Sequence, residues 1–371
     1  MAGAATAAPS QLNNKEMVIP GETQDPLLPY CSDVSVGVQE SKSLVSRGMI
    51  RRNGQRPAGV QGVRVPLIGT ARIGHPWPTP RANVVNHMAA PESDCGLRSL
   101  HLRTNLIFHR YHGIVTDHGE FVSIETPDNP GYYWGNCLVF RKPPAPGDAA
   151  RWREAFHQRF GSNPSIQHET FTWDNPQIGE PALEPFLEQG FGMQRHVVMT
   201  AERLIPKAKQ TLPLVLRPFA RPEDWEQAVE NDVLIKAAKY GAQQYREYRT
   251  RKNLLYQNMI AEGLGLWFGA FLKDKLVGDL GLFREATIGR FQIVNTHPDY
   301  RRQGICSRLM YFAGEYGTAE MGLRTLVIVA DGACIAKDVY AALGFRIVEQ
   351  ALGLEKRPGT DQQQSTKEGS L

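Results

Sequence analysis

Apolar residues fall into three regimes along the chain. Up to about residue 97 no apolar period of 2 or 3.6 persists, and short runs such as Val63-Arg64-Val65-Pro66-Leu67-Ile68 are broken by Pro and Gly. From Leu97 the pattern alternates in short blocks. It predicts strands over 106–111 and 121–126, with Asp117-His118-Gly119 turning between them. A long aromatic strand over 132–140 should stop at Pro143-Pro144-Ala145-Pro146-Gly147. Asp148 then reads as the N-cap of a helix that carries Trp152, Ala155, Phe156 and Phe160 on one face. A strand over 169–173, a short helix from Pro181 and a strand over 193–199 complete this block.

A Pro/Lys/Gln segment, 206–213, precedes the third regime. Here the pattern predicts a strand at 214–219, two helices reaching Glu262, and a hairpin of 267–272 with 276–283 around Lys273-Asp274-Lys275. A strand over 291–296, a helix over 304–317, a buried strand over 326–330, a helix through Tyr340 and a strand from Phe345 follow. Residues 355–371 are polar and read as a frayed tail. The two blocks share a signature: Phe186 and Tyr340 each precede Gly-Phe by three residues, at Gly190-Phe191 and Gly344-Phe345. From Gly147 to Phe191 is 44 residues and from Gly304 to Phe345 is 41, a spacing that suggests an internal duplication.

Composition refines this picture. At 371 residues, 42% apolar and 22% charged, the chain suits two or three soluble domains. The units expected are a basic, disordered extension (1–97), a first α/β unit (98–206), a second (213–355) and a tail (356–371). The five cysteines are scattered and form no CxxC, which points to a reducing compartment and no structural zinc. No stretch near 18 apolar residues and no leader-like opening are found, so the expected location is cytoplasmic, with no membrane partner. Eight Lys/Arg and no Asp or Glu lie between Ser41 and Pro91; without them the net charge of +4 becomes −4. A nucleic-acid-binding core is therefore not indicated. The basic stretch is either an arm for phosphates or an extension without a role, in one version upstream of a native start at Met88.

The chemically informative segment runs from Phe291 to Met310. An apolar strand ends at Pro298, a basic loop with one glycine follows, and an amphipathic helix starts at once. A helix N-terminus presents unpaired N–H groups and partial positive charge, so this end suits a phosphate or pyrophosphate. Neither GxGxxG nor GxxxxGK[ST] is present. Arg301-Arg302-Gln303-Gly304-Ile305-Cys306 resembles motif A of the GCN5-related N-acetyltransferases (GNATs), with Cys306 where Gly or Ala is usual. Residues Ala336 to Phe345, with Tyr340 and Leu343-Gly344-Phe345, resemble that family's motif B. The resemblance covers about 214–354, while 97–205 resembles a degenerate half of the same fold, as in tandem members.

The resemblance implies an α/β (α+β) fold of two GNAT-like mixed-sheet units in tandem. It also implies transfer of an acetyl group from acetyl-CoA, a co-substrate, to an amine of a small molecule or protein, with no metal. The strand around Val294 and Thr296 would pair with the pantetheine arm. Arg301, Arg302, Gln303, Gly304, Ile305, Cys306 and Ser307 would hold the pyrophosphate, and Tyr340 would protonate the departing thiolate. The first unit should bind no CoA, because its prolines remove amides and Asp148 puts a carboxylate where phosphate would lie. The base is open: the family position falls near Arg290, which cannot serve, and Asp279 or Glu285 could act through water. Asp331 would end its strand near the cofactor, and Ala333 stands where a cofactor-binding Asn is common. His109, His112 and His118 read as solvated hairpin residues more readily than as metal ligands, and Trp267 and Phe268 as core more readily than as an amine pocket. The alternative to an enzyme is a non-catalytic acetyl-CoA sensor. The acceptor amine is not legible.

Overall fold

The computed structural model describes residues 95–174, 181–206, 212–332 and 336–358. The expected N-terminal extension lies almost wholly outside the described residues, as do most of the 206–213 linker and the tail beyond 358. The first half contains α1 (Leu100–His112), β1 (Ile114–Asp117), β2 (Phe121–Glu125), β3 (Cys137–Phe140), α2 (Asp148–Phe160), β4 (Glu169–Trp173), α3 (Glu184–Leu187) and β5 (Gly192–Ala201). The second contains β6 (Leu214–Pro218), α4 (Pro222–Tyr240), α5 (Ala242–Ala261), β7 (Gly265–Leu272), β8 (Lys275–Glu285), β9 (Ile288–Thr296), α6 (Ile305–Glu320), β10 (Thr325–Asp331), α7 (Ala336–Ala342) and β11 (Arg346–Lys356).

The strands form one mixed sheet in the order β1-β2-β3-β4-β11-β5-β10-β9-β8-β7-β6. The last strand of each half is exchanged. β11 lies between β4 and β5, and β5 lies between β10 and β11. A pseudo-twofold axis therefore passes between β5 and β11, relating β3-α2-β4-α3-β5 to β9-α6-β10-α7-β11. Local geometry repeats as well. The caps Gly147 and Gly304 both take left-handed backbone, φ 90° and 75°. Phe191 N donates to Phe186 O and Phe345 N to Tyr340 O, each at 3.1 Å. The shared aromatic–Gly–Phe signature is thus a helix C-terminus turned through a left-handed glycine.

Leu138, Phe140, Phe171 and Trp173 pack under α2, and Val294, Leu280 and Ile328 pack under α6 and α7, on one face. On the other face α1 covers Val122, Ile124, Cys137 and Val139, while Phe108 of α1 joins α4, α5 and Trp267. The N-terminus of α1 ties the halves together. Ser99 N and Leu100 N donate to Asp174 and Glu349 at 2.7 Å each, setting carboxylates from β4's end and β11 at a positive helix end.

Three expectations are corrected. Residues 106–111 are helix, not strand: Ser99 caps α1 through Leu102 N, and Leu102, Leu106 and His109 then fall on one buried face. The aromatic strand is only Cys137–Phe140, because Asn136 bonds Thr126 N and the Tyr132 and Asn129 carbonyls and bends the chain through a 3-10 turn at Tyr133–Gly135. Gly147, not Asp148, occupies the α2 cap. In addition, Glu355 and Lys356 belong to β11, paired with Thr170 and Glu169.

Gly344 tests the duplicated turn. Its φ is +100°, and an added Cβ would lie 3.3 Å from Arg203 O and from Ile205 Cγ1. Gly344→Ala should lower stability by about 1–3 kcal/mol in urea melts. Gly119→Ala, at φ +80° in open space, should lose less. Equal losses would remove the packing argument.

Candidate active site

β9 and β10 run parallel but pair at only three positions, Thr325↔Ile288, Leu326↔Gly289 and Val327↔Arg290. Beyond them β10 stays with β5 from Leu326 to Asp331, and β9 stays with β8 out to Thr296. The two strands are held by different neighbours and part, leaving a wedge that opens toward their C-terminal ends. β9 also bulges: Ile293 has φ +49°, and the register slips where Asp279↔Asn295 is followed by Gly281↔Gln292. The bulge turns backbone groups of β9 out of the ladder beside the wedge.

The loop after β9 returns the chain to this place. Pro298–Tyr300 make a 3-10 turn, Arg301 Nε reaches Thr296 O at 3.5 Å, and Arg302 and Gly304 take positive φ, 60° and 75°. The first intrahelical bond of α6 is Arg308 N to Gly304 O at 3.1 Å, so the amides of Ile305, Cys306 and Ser307 precede the ladder. Arg302 and Gly304 are exposed, and Arg301, Gln303, Cys306 and Ser307 half-buried. Val294, Ile305 and Tyr340 meet in one core cluster behind the wedge. Tyr340 is 1% exposed and edge-on to Phe345 at 6.2 Å.

The first half has the same parts in closed form. β3 and β4 pair through their last residues, Phe140↔Trp173, and Asp174 N adds a bond to Phe140 O at 2.8 Å. The Trp152 ring stacks on Phe140 at 3.8 Å. Asp148, the first residue of α2, accepts from Ala145 N at 2.9 Å and from Arg151 Nη2 at 2.7 Å. Among the described residues β3 and β4 do not part, and Asp148 sets a carboxylate in the first turn of α2.

On the face away from α6, polar side chains are buried under α4 and α5. Asp279, opposite the bulge, is 0% exposed and accepts from Trp267 Nε1 at 3.0 Å. Asp232 of α4 accepts from Asn295 Nδ2 at 2.7 Å and from Arg249 of α5. Burial, with the Asp232 charge nearby, pushes the Asp279 carboxyl up to about 7. Lys252 lies 4.0 Å over the Tyr132 ring, and burial beside Arg249 takes its ammonium down to about 7. Gln292 donates to Tyr256 at 3.1 Å. Glu285 instead pairs with Arg110 at 3.3 Å at the far end of β8.

Other sequence candidates take structural places. Trp267 and Phe268 are buried on opposite faces, and His109 stacks on Tyr132 with its pKa brought down to about 3 by burial. His118 bonds Ser123 at 3.0 Å. Among the described residues no three His, Cys, Asp or Glu side chains are grouped to hold a metal. Asp331 ends β10 at the wedge; Ala333 lies outside the described residues. Sequence reasoning missed the buried polar cluster, although α5 carries Arg249, Lys252, Asn253 and Tyr256 at i, i+3, i+4 and i+7, where an apolar stripe is usual.

Residues 264–347, from β7 into β11, match the family model of the acetyltransferase (GNAT) domain. The chain carries a GNAT domain. The match ties the wedge, the Gly304 loop and α7 to a family of acetyltransferases. No curated protein matches the sequence significantly. In fold the chain is similar to a functionally unknown conserved protein from Staphylococcus epidermidis, with TM-score 0.53 and 18% identity over 66% of this chain and 94% of that one. A GCN5-related N-acetyltransferase from Kribbella flavida gives TM-score 0.49 and 15% identity over 69% and 93%. A tandem GNAT protein from the clavulanic acid biosynthesis pathway gives 0.39 and 16% over 57% and 68%. Such likeness is one of fold.

The Asp279 environment predicts a pH signature. With the folded pKa near 7 and the ordinary value 3.8, the folded state holds a proton that the unfolded state has lost between those values. This contribution to stability is complete below about pH 4 and lost as pH rises to 7. In Asp279→Asn it is absent. Urea midpoints should show wild type falling relative to Asp279→Asn between pH 5 and pH 8; a constant difference would show that Asp279 is ionised throughout.

Proposed function

We propose that the chain is an N-acetyltransferase that passes an acetyl group from acetyl-CoA directly to an amine, in a ternary complex assembled at the β9/β10 wedge. The observation that carries this reading is the wedge with α6's unladdered amides at its mouth, in one half only. Backbone groups of β9 from the Ile293 bulge to Thr296 face the gap, where an extended pantetheine arm can add as a strand. The amides of Ile305, Cys306 and Ser307 suit a pyrophosphate, and Arg301 and Arg302 add charge for further phosphates.

The amine attacks the thioester carbonyl from the face of α4 and α5, and an N–H of the bulged strand next to Val294 holds the developing oxyanion. Asp279, across from the bulge with a pKa near 7, is better suited than Glu285 to take the amine's proton, directly or through water. The C–S bond breaks, and the thiolate takes a proton from Tyr340 on the α7 side. Holding both reactants at one wedge makes the step effectively unimolecular.

Calorimetry should find one acetyl-CoA per chain. Gly304→Glu should weaken it by about tenfold or more, near 1.4 kcal/mol; unchanged affinity in the folded variant, or two sites per chain, would overturn the cradle assignment. Tyr340→Phe should leave affinity nearly unchanged and lower kcat by about 10²–10⁴-fold. A fall of less than about threefold removes the acid role. Binding without turnover of any amine would favour the sensor alternative.

A further inference from the structure

Arg290 stands at the last paired position of β9, where the wedge begins. Its side chain is 1% exposed and makes no ion pair among the described residues. Nη2 donates to Asn105 Oδ1 of α1 at 3.2 Å, while Nε and Nη1 find no partner. A guanidinium so placed has lost its water and gained one neutral acceptor, which costs free energy unless an anion completes the site. Burial takes even this group down to about 10. Beside the apolar Val327 and Val329 of β10, other buried polar groups on this face are equally incomplete. Gln292 Oε1, two residues on, has no partner. Both ring nitrogens of His196 and Nδ1 of His101 have none either, and these rings meet edge-to-face at 5.5 Å.

We infer that this cluster of buried polar groups, between α1 and α5 on one side and β5, β10 and β9 on the other, binds the carboxylate of the acceptor, so that the acceptor is a small molecule bearing both an amine and a carboxylate. The two free N–H directions of the Arg290 fork match the two oxygens of a carboxylate. One fixed positive charge balances one monoanion. His196 stays uncharged at neutral pH, its pKa lowered to about 3 by burial and by the Arg290 charge, and contributes N–H donation without further charge. Gln292 Oε1 can accept from the amine, and the bulge at Ile293 lies next along β9, so an amine a few atoms from the carboxylate reaches the thioester. Neither Arg290 nor His196 takes part in bond making; both position the acceptor.

The inference rests on the acetyl-transfer reading, and the experiment separates the two. The full chain is assayed for CoA release from acetyl-CoA against the common amino acids, β-alanine and γ-aminobutyrate, each beside its carboxamide. At least one acid should be acetylated with kcat/KM about tenfold or more above its carboxamide. Arg290→Met should abolish that preference by raising KM for the acid about tenfold or more, so that the acid-to-carboxamide ratio of kcat/KM falls to near one. Since the substitution removes a buried unpaired charge, the melting temperature should hold or rise. If Arg290→Met does not fold, Arg290→Lys, which keeps the charge and loses the fork, should raise KM for the acid alone. Carboxamides used as well as acids, a preference that survives either folded variant, or a panel with no acid acetylated while calorimetry shows acetyl-CoA bound would each overturn the inference and leave the cofactor reading in place. Absence of acetyl-CoA binding would overturn the reading beneath it.

Discussion

Exchange of the final strands is the constraint from which the rest of the structure follows. With β5 inserted between β10 and β11, β10 is committed to an antiparallel partner over six positions. It cannot also follow β9, which is held along its length by β8. The parallel pair gives way after three positions, and the wedge results. In the other half β11 pairs with β4 over four positions, but β3 is short and ends level with Trp173, so no strand remains to part. The same topology thus yields one strand pair that parts and one that stays closed, and the difference lies in the length of the strand before the crossover helix.

Closure in the first half is reinforced by its side chains. Trp152 on Phe140, with Phe171, Trp173 and Phe186 around them, forms an aromatic core that fills the space under α2. In the second half the equivalent helix packs Ile305, Leu309, Met310 and Ala313 against the sheet, and its rings Phe312 and Tyr316 meet Phe268 of β7, away from the β9/β10 seam. Large rings close a seam by dispersion over many atoms. Smaller side chains leave the seam dependent on the strands themselves.

Much of this order was legible in the sequence. The hairpin at Lys273, the crossover at Gly304 and the Gly-Phe turns carried their own local signals, and the spacings of 44 and 41 residues matched a repeated order of strands and helices. The α1 misreading shows the limit. Leu-Ile-Phe-His-Arg-Tyr has strand-like composition over six residues, and only the cap at Ser99, held by Asp174 and Glu349 far along the chain, decides for helix. Strand exchange is likewise invisible, because the same alternating pattern serves β5 and β11 whichever neighbours they take. The strand–loop–helix geometry at Gly304 was readable because it is local; the buried polar cluster was not, since Arg290, Asn105, His196 and Tyr256 come from four elements.

The first half has physical work of its own in this arrangement. Without β5, the adjacent edges of β10 and β11 would be unpaired, and exposed edges invite mispairing. β5 fills that gap and brings His196 edge-on to His101 of α1, while Asn105 of the same helix accepts from Arg290. The carboxylate clamp on α1, Asp174 from the first half and Glu349 from the second, fixes that helix relative to both. A single GNAT unit would leave the Arg290 side of its wedge open to water, where a guanidinium's charge is screened and its selectivity for an acceptor is small. Covered by α1, the same charge acts in a low-dielectric space. The first half therefore supplies the wall that buries Arg290.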